Sequence, residues 1–189
     1  MSHDPEKAPP HDIGRALLAR VARGDRAAME DFYRGYQASV YRFGYSQLNE
    51  PFAAADVLNE TMLQVWKNAR RYAGQSNPLT WVLGIAHHKA MDSLRSRYRH
   101  AGEPLDDTLS DDDRPDLPQL VMALQNQVRV RDCVQALTEK HRAAIHLAFF
   151  EDLGYAQIAD VLNCPEGTVK TRVFHAKELL RRCLGGIRP

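Results

Sequence analysis

The stretch from Tyr155 to Arg182 constrains this chain more than any other. It reads YAQIADVL, then NCP, then EGTVKTRVFHAKELLRR. At helical spacing this predicts two short helices around a tight turn. Ile158, Ala159 and Leu162 give the first helix an apolar face. Asn163 follows, a residue that tolerates the left-handed backbone a helix end needs. Pro165, Glu166 and Gly167 open the second helix, where the missing proline N–H costs little. Val169, Val173, Ala176 and Leu180 recur at i, i+4, i+7 and i+11 and give it a buried stripe. The opposite face carries Thr171, Phe174, His175 and Glu178, flanked by Lys170, Arg172 and Lys177. The pattern is a helix-turn-helix, whose second helix enters the major groove of duplex DNA. A plain helical hairpin with a solvated basic face is the alternative. Three features weigh against it. The cations lie on the second helix and not the first. An aromatic, Phe174, stands on the exposed face. Residues 166–188 hold six Lys or Arg against two Glu, in a chain of net charge only +1.

The rest of the chain reads as helices too. Ile13, Leu17 and Val21 share one face of a helix over Asp12–Ala22, which Gly24 breaks. Asp25 caps a longer helix from Arg26 to Leu48, with Met29, Phe32, Tyr33, Tyr36, Val40 and Phe43 inward. Asn49, Glu50 and Pro51 stop it. A third helix, Ala53–Tyr72, turns Val57, Met62, Val65, Trp66 and Ala69 inward. Large aromatics at this spacing are usually core, so Trp66 and Trp81 are both expected there. After the polar loop AGQSN, Asn77 caps a fourth helix from Pro78 to Arg99. Thr138 caps another over Glu139–Phe150, with Ile145, Ala148 and Phe149 apolar. No period-two apolar runs occur, so the chain is all-α.

Residues 101–118 break this pattern with seven acids, one arginine and three prolines. Such a stretch buries too little apolar surface to offset ordering and is expected to be a flexible linker. The organisation is therefore a disordered tail (1–11), a helical domain (12–100), the acidic linker (101–118) and a second small helical domain (119–189) carrying the helix-turn-helix. No apolar run approaches the ~20 residues of a membrane helix, and MSHDPEKAPPH is not a signal peptide. Cys133, Cys164 and Cys183 are odd in number and far apart, so buried thiols in a reducing, cytoplasmic compartment are expected. His87-His88 are poor joint metal ligands, because adjacent helical residues diverge by about 100°. No phosphate loop, nucleophile elbow or metal-ligand spacing is present, so neither a cofactor nor a metal is expected.

The helix Pro78–Arg99 ends in Lys89, Arg95, Arg97 and Arg99, with Tyr98 among them. The loop Gln75-Ser76-Asn77 precedes it. Cations with polar and planar groups suit single-stranded nucleic acid. Basic residues also gather at a helix C-terminus for its dipole alone, and both readings stand. Asp56, Asn59, Glu60, Gln64 and Lys67 form the polar side of the third helix, which by itself is a wet face.

Three blocks together resemble the bacterial extracytoplasmic-function (ECF) sigma factors of the sigma-70 family. ADVLNETMLQVW (Ala55–Trp66) is similar to the family's region 2.2. PLTWVLGIAHHKAMDSLR (Pro78–Arg95) is similar to regions 2.3 and 2.4, and Ala136–Arg182 to region 4, above all in Cys-Pro-x-Gly-Thr-Val-Lys-x-Arg. The resemblance implies a transcription initiation subunit and not an enzyme. It implies that Asp56, Asn59, Glu60, Gln64 and Lys67 meet the β′ clamp helices of core RNA polymerase. Gln75, Ser76, Asn77, His88 and Arg95 would hold the melted −10 strand, with His88 at the pocket for an unstacked base. Lys170, Thr171, Arg172, Phe174, His175 and Lys177 would meet the −35 duplex. Region 4 would also touch the β flap, and an anti-sigma factor would hold both domains inactive. The alternative is a stand-alone helix-turn-helix regulator, which has no use for a region 2.2 segment. A helical enzyme or adaptor is a further alternative, disfavoured by the lack of convergent acid–base groups.

Overall fold

The computed structural model describes residues 8–72, 74, 76–100 and 128–185, and every regular element among them is helical. The elements are α1 (His11–Val21), α2 (Arg26–Leu48), α3 (Pro51–Asn68), a 3-10 turn (Ala69–Arg71), α4 (Pro78–His100), α5 (128–135), α6 (Glu139–Phe149), α7 (Tyr155–Leu162) and α8 (Glu166–Leu184). The expected linker, most of the N-terminal tail, Gln75 and residues 119–127 lie outside the described residues.

Side-chain caps set the boundaries. Asp25 Oδ1 accepts from the Ala28 N–H at 3.0 Å and starts α2. Asn77 Oδ1 accepts from the Leu79 N–H at 2.9 Å and starts α4. The Glu50 carboxylate accepts from the N–H groups of Phe52 and Ala53, with Pro51 at the first turn of α3. Each such cap contributes about 1 kcal/mol. Asn49 (φ 50°) and Asn163 (φ 47°) end α2 and α7 in the left-handed conformation. The stop at Asn49-Glu50-Pro51 is thus a C-cap followed directly by an N-cap.

Helix α2 is the hub of the first half. Phe32, Tyr36, Val40 and Phe43 are fully buried along it, against Leu18 of α1, Val65 of α3 and Leu83 of α4. Burying each large side chain contributes about 1.5–3 kcal/mol. Gly14 permits the tightest approach: a Cβ there would stand 2.1 Å from the Tyr36 hydroxyl oxygen. In the second half, α6 and α7 pack on α8 around Leu147, Ile158, Val161, Val169, Val173 and Ala176. The halves then meet each other. Helix α7 lies against α4, α6 lies against α2, and both sets of apolar residues join one core.

Two kinds of expectation change. Trp66 is 37% exposed and Ile13 and Phe149 also face solvent, because 3.6-residue periodicity does not say which apolar face meets the core. Cys133 and Cys183 are not separate thiols: they form a disulfide, with Cα atoms 5.9 Å apart. Their sequence separation of 50 gave no hint of this, since only packing brings α5 to the end of α8. Cys164 remains a half-buried free thiol. Among the described residues, no helix is long and apolar enough to cross a membrane.

Candidate nucleic-acid and polymerase interfaces

Helix α8 presents the exposed face the heptad-like spacing of its buried residues demands. Phe174 is 61% exposed, although aromatic, and Lys170, Thr171, His175 and Lys177 are exposed around it. Lys170 pairs with Glu166 at 2.8 Å one turn back. The hydrogen bond and charge of Glu166 raise its pKa. The Thr171 hydroxyl donates to the Gly167 carbonyl at 3.0 Å. The His175 ring lies edge-on to Phe174 and tilted against His141 of α6, and the Lys177 ammonium lies 4.9 Å from the centroid of Phe149. Arg172 stands apart. It is half-buried on the flank of the core stripe, and its Nη1 lies 3.5 Å from Cys164 Sγ at the turn. It therefore braces the turn in this structure and does not share the outer face with Lys170.

The start of α4 forms a pocket of about 270 Å³ lined by Ser76, Thr80, Trp81, Gly84, Ile85, His88 and Asp160. Helical spacing explains the set: Trp81, Gly84, Ile85 and His88 recur at i, i+3, i+4 and i+7. Ser76 and His88 thereby line the same pocket. Asn77 points elsewhere, capping α4 and lining a second cavity beside Arg42 and Glu151. Arg95, two turns beyond His88, is exposed and pairs with Asp92 at 3.1 Å. Gln75 lies outside the described residues. Thr80 was invisible in the sequence reading: it is buried, and its hydroxyl has no hydrogen-bond partner among the described residues. The cations near the end of α4 are partly committed within the fold, Lys89 to Glu60 at 3.1 Å and Arg97 to Glu50 at 3.1 Å.

On α3, Asp56, Asn59, Glu60 and Lys67 are exposed and Gln64 is half-buried. The sequence reading missed their apolar neighbours. Phe52 is 80% exposed, Leu63 52% and Trp66 37%, and they fall on the same stripe. A surface aromatic and aliphatic row beside carboxylates is a mark of an interaction face.

The two halves are joined by a polar pin. The Glu151 carboxylate, 3% exposed, accepts from Arg42 Nη2 at 3.3 Å and lies 3.6 Å from His146 Nε2. Arg42 also donates to Ser39 at 3.3 Å. Burial alone would raise the Glu151 pKa. The nearby His146 and Ser39 side chains and the Arg42 charge together hold it below its ordinary value.

The described residues form an all-helical protein of two packed halves, the second carrying a helix-turn-helix. Comparison with known proteins narrows the class. Residues 32–100 match the family described as Sigma-70 region 2, and residues 127–180 match Sigma-70, region 4. The ECF RNA polymerase sigma factor SigK of Mycolicibacterium vanbaalenii is 34% identical over 181 residues, covering 90% of this chain and 88% of that relative. SigK of Mycobacterium tuberculosis is 32% identical, covering 89% and 92%. Among solved structures, CnrH in complex with the cytosolic domain of CnrY superposes with a TM-score of 0.70 at 19% identity, covering 94% of this chain and all of that one. Sigma factor RpoE of Bartonella quintana, in complex with the anti-sigma factor NepR, gives 0.66 at 22% identity, covering 84% and 99%. This chain belongs to the sigma-70 family, in its ECF group.

Proposed function

We propose that this chain is the promoter-recognition subunit of an RNA polymerase and not itself an enzyme. Residues 12–100 form the polymerase-binding and −10 half, 101–118 the linker, and 119–189 the −35 half. The α3 stripe around Asp56, Asn59, Glu60, Gln64 and Lys67 docks on the β′ clamp helices of the core enzyme. The pocket at Ser76 and His88 takes an unstacked −10 base, with Gln75 and Arg95 beside the strand and Asn77 holding the start of α4. The α8 face reads the −35 duplex: Thr171, Phe174 and His175 meet base edges, and Lys170 and Lys177 hold phosphates, with Arg172 steadying the turn. The −35 half also touches the β flap. An anti-sigma factor, of the kind that holds the Bartonella RpoE, is the regulator such a subunit calls for.

The observation that carries this reading is the coexistence, on one chain of this family, of an exposed aromatic–basic recognition helix and an exposed Phe52–Leu63–Trp66 stripe. A stand-alone regulator needs the first and not the second. The test is run-off transcription with core polymerase on a panel of single-base −10 and −35 variants. Promoter-specific transcripts are expected only with chain and core together. His88→Asn should reorder the −10 preferences and leave the −35 ranking intact, each good base contact being worth about 1–3 kcal/mol. His175→Ala should do the reverse. A footprint from the chain alone as strong as that with core polymerase would favour the regulator instead.

A further inference from the structure

Phe149 is the last residue of α6 and stands outside the helix-turn-helix. It is 55% exposed, whereas Ile145 and Leu147 of the same helix turn into the core. Core packing therefore does not account for the ring. What it meets is on another helix. The Lys177 ammonium of α8 lies 4.9 Å from its centroid, inside the ~6 Å reach of a cation–π contact. The packing of α6 on α8 brings the two together.

Lys177 belongs to a row. Lys170, Phe174, Lys177 and Arg181 recur at i, i+4, i+7 and i+11 and run along the exposed face of α8. The three cations of this row are held differently. Lys170 pairs with Glu166 at 2.8 Å and Arg181 with Glu178 at 2.9 Å, each within its own helix. Lys177 has no carboxylate partner among the described residues and meets the Phe149 ring instead. The difference matters to an approaching phosphate. A carboxylate offsets the charge of the cation it holds and repels the phosphate. A ring attracts the cation through its quadrupole and carries no net charge, so the full positive charge is left to be met. It also restrains a long side chain whose freedom would otherwise be lost on binding.

We propose that Phe149 is a positioning residue for the −35 duplex: its ring holds the Lys177 ammonium at the edge of the α8 face, charged and oriented for one backbone phosphate. This rests on that face being the −35 reader, as proposed above. Because the contact is to phosphate, Phe149 sets affinity and not base preference.

The experiment uses the full chain assembled with core polymerase. Binding of the fluorescein-labelled promoter duplexes of the run-off panel is followed by anisotropy across a salt series. Lys177→Ala should flatten the salt dependence by about one unit of slope. Phe149→Leu keeps an apolar side chain at an exposed position and should weaken binding about two- to fivefold, equally for every −35 variant. Phe149→Tyr, which keeps the ring face, should bind like wild type. In a chain already carrying Lys177→Ala, Phe149→Leu should have no further effect. A Phe149→Leu chain that binds as tightly as wild type overturns the proposal. So does an equal loss with and without Lys177, which would make the ring a contact of its own, and so does a Phe149→Tyr chain as weak as Phe149→Leu. The underlying reading is tested separately. If His175→Ala reorders the −35 variants while Phe149→Leu changes nothing, the −35 face stands and only the role of Phe149 is lost. If His175→Ala leaves the ranking and Lys177→Ala leaves the salt slope unchanged, the face itself is removed, and Phe149 with it.

Discussion

His87 sits one residue from the proposed base pocket but faces the core. Its ring lies edge-on to Phe43 with centroids 6.1 Å apart, and its Nδ1 is buried with no hydrogen-bond partner among the described residues. Burial first, then the charges of His88, Arg172 and Arg95, push its pKa from 6.5 down to about 4. The unfolded chain therefore binds more protons between these values. Stability from this residue is full above the unfolded pKa and is lost as pH falls toward the folded one. Going from about pH 7 to about pH 5 should remove about 2 kcal/mol through His87 alone. His141 is also pushed down, by burial, His175 and Arg172, but it is common to wild type and variant. Glu151, held low, loses its contribution only in more acid solution. Urea unfolding of His87→Gln at those two pH values should show a drop smaller by about 2 kcal/mol than wild type. Equal drops would place the acid sensitivity elsewhere. The neighbouring His88 is exposed, so the adjacent pair divides into one packing residue and one proposed to meet the strand.

At the scale of an element, α3 is the helix with two apolar faces. Val57, Leu58, Met62 and Val65 are buried, while Phe52, Leu63 and Trp66 lie on the outer side with Asp56, Asn59, Glu60 and Lys67. Aromatic anchors carry much of the energy of protein interfaces. Trp66→Ala should therefore weaken binding to core polymerase by about 2 kcal/mol, roughly thirtyfold, in a direct titration. Glu60→Lys should also weaken it. The cost of that change to folding is at most about 1 kcal/mol, since it breaks the surface pair with Lys89. Undiminished core binding by Trp66→Ala would take the stripe out of the interface. The helices themselves were legible because their ends are written locally: Asp25, Asn77, Thr138, Asn49 and Asn163 each act within four residues of where they stand. The outward α8 face was legible for the same reason, its buried stripe fixing what is left outside. Trp66 was misplaced because both faces of α3 satisfy one periodicity. Thr80, Asp160 and Glu151 gave no signal at all. Glu151 meets Arg42 across 109 positions, and a polar residue in a loop carries no period to read.

For the whole molecule, it matters which bonds cross between the halves and which do not. The Cys133–Cys183 disulfide joins α5 to the end of α8, both in the second half. The described contacts that cross to the first half are noncovalent, among them Arg42 to Glu151, Tyr98 to Glu139, Arg131 to Asn49, Gln135 to the Ser46 carbonyl, and the apolar packing of α7 on α4 and α6 on α2. The molecule can thus part along its seam with every covalent constraint intact. The disulfide instead closes a loop of 50 residues that contains α6, α7 and nearly all of α8. Closing such a loop removes conformational freedom from the unfolded second half, worth about 4 kcal/mol in the chain-entropy picture. That is a large share of what a small helical unit can muster, given typical domain stabilities of about 5–15 kcal/mol. Reduction should therefore lower the protection of α7 and α8 amides against hydrogen exchange by an amount approaching that figure, while α2 and α3 amides change little. The double variant Cys133→Ser/Cys183→Ser should behave like the reduced wild type. The scattering radius of the folded chain should be the same with and without reductant, since the seam is held by other bonds. Unchanged exchange in α7 and α8 on reduction would mean that their packing on α4 and α6 alone sets the stability of the helix-turn-helix.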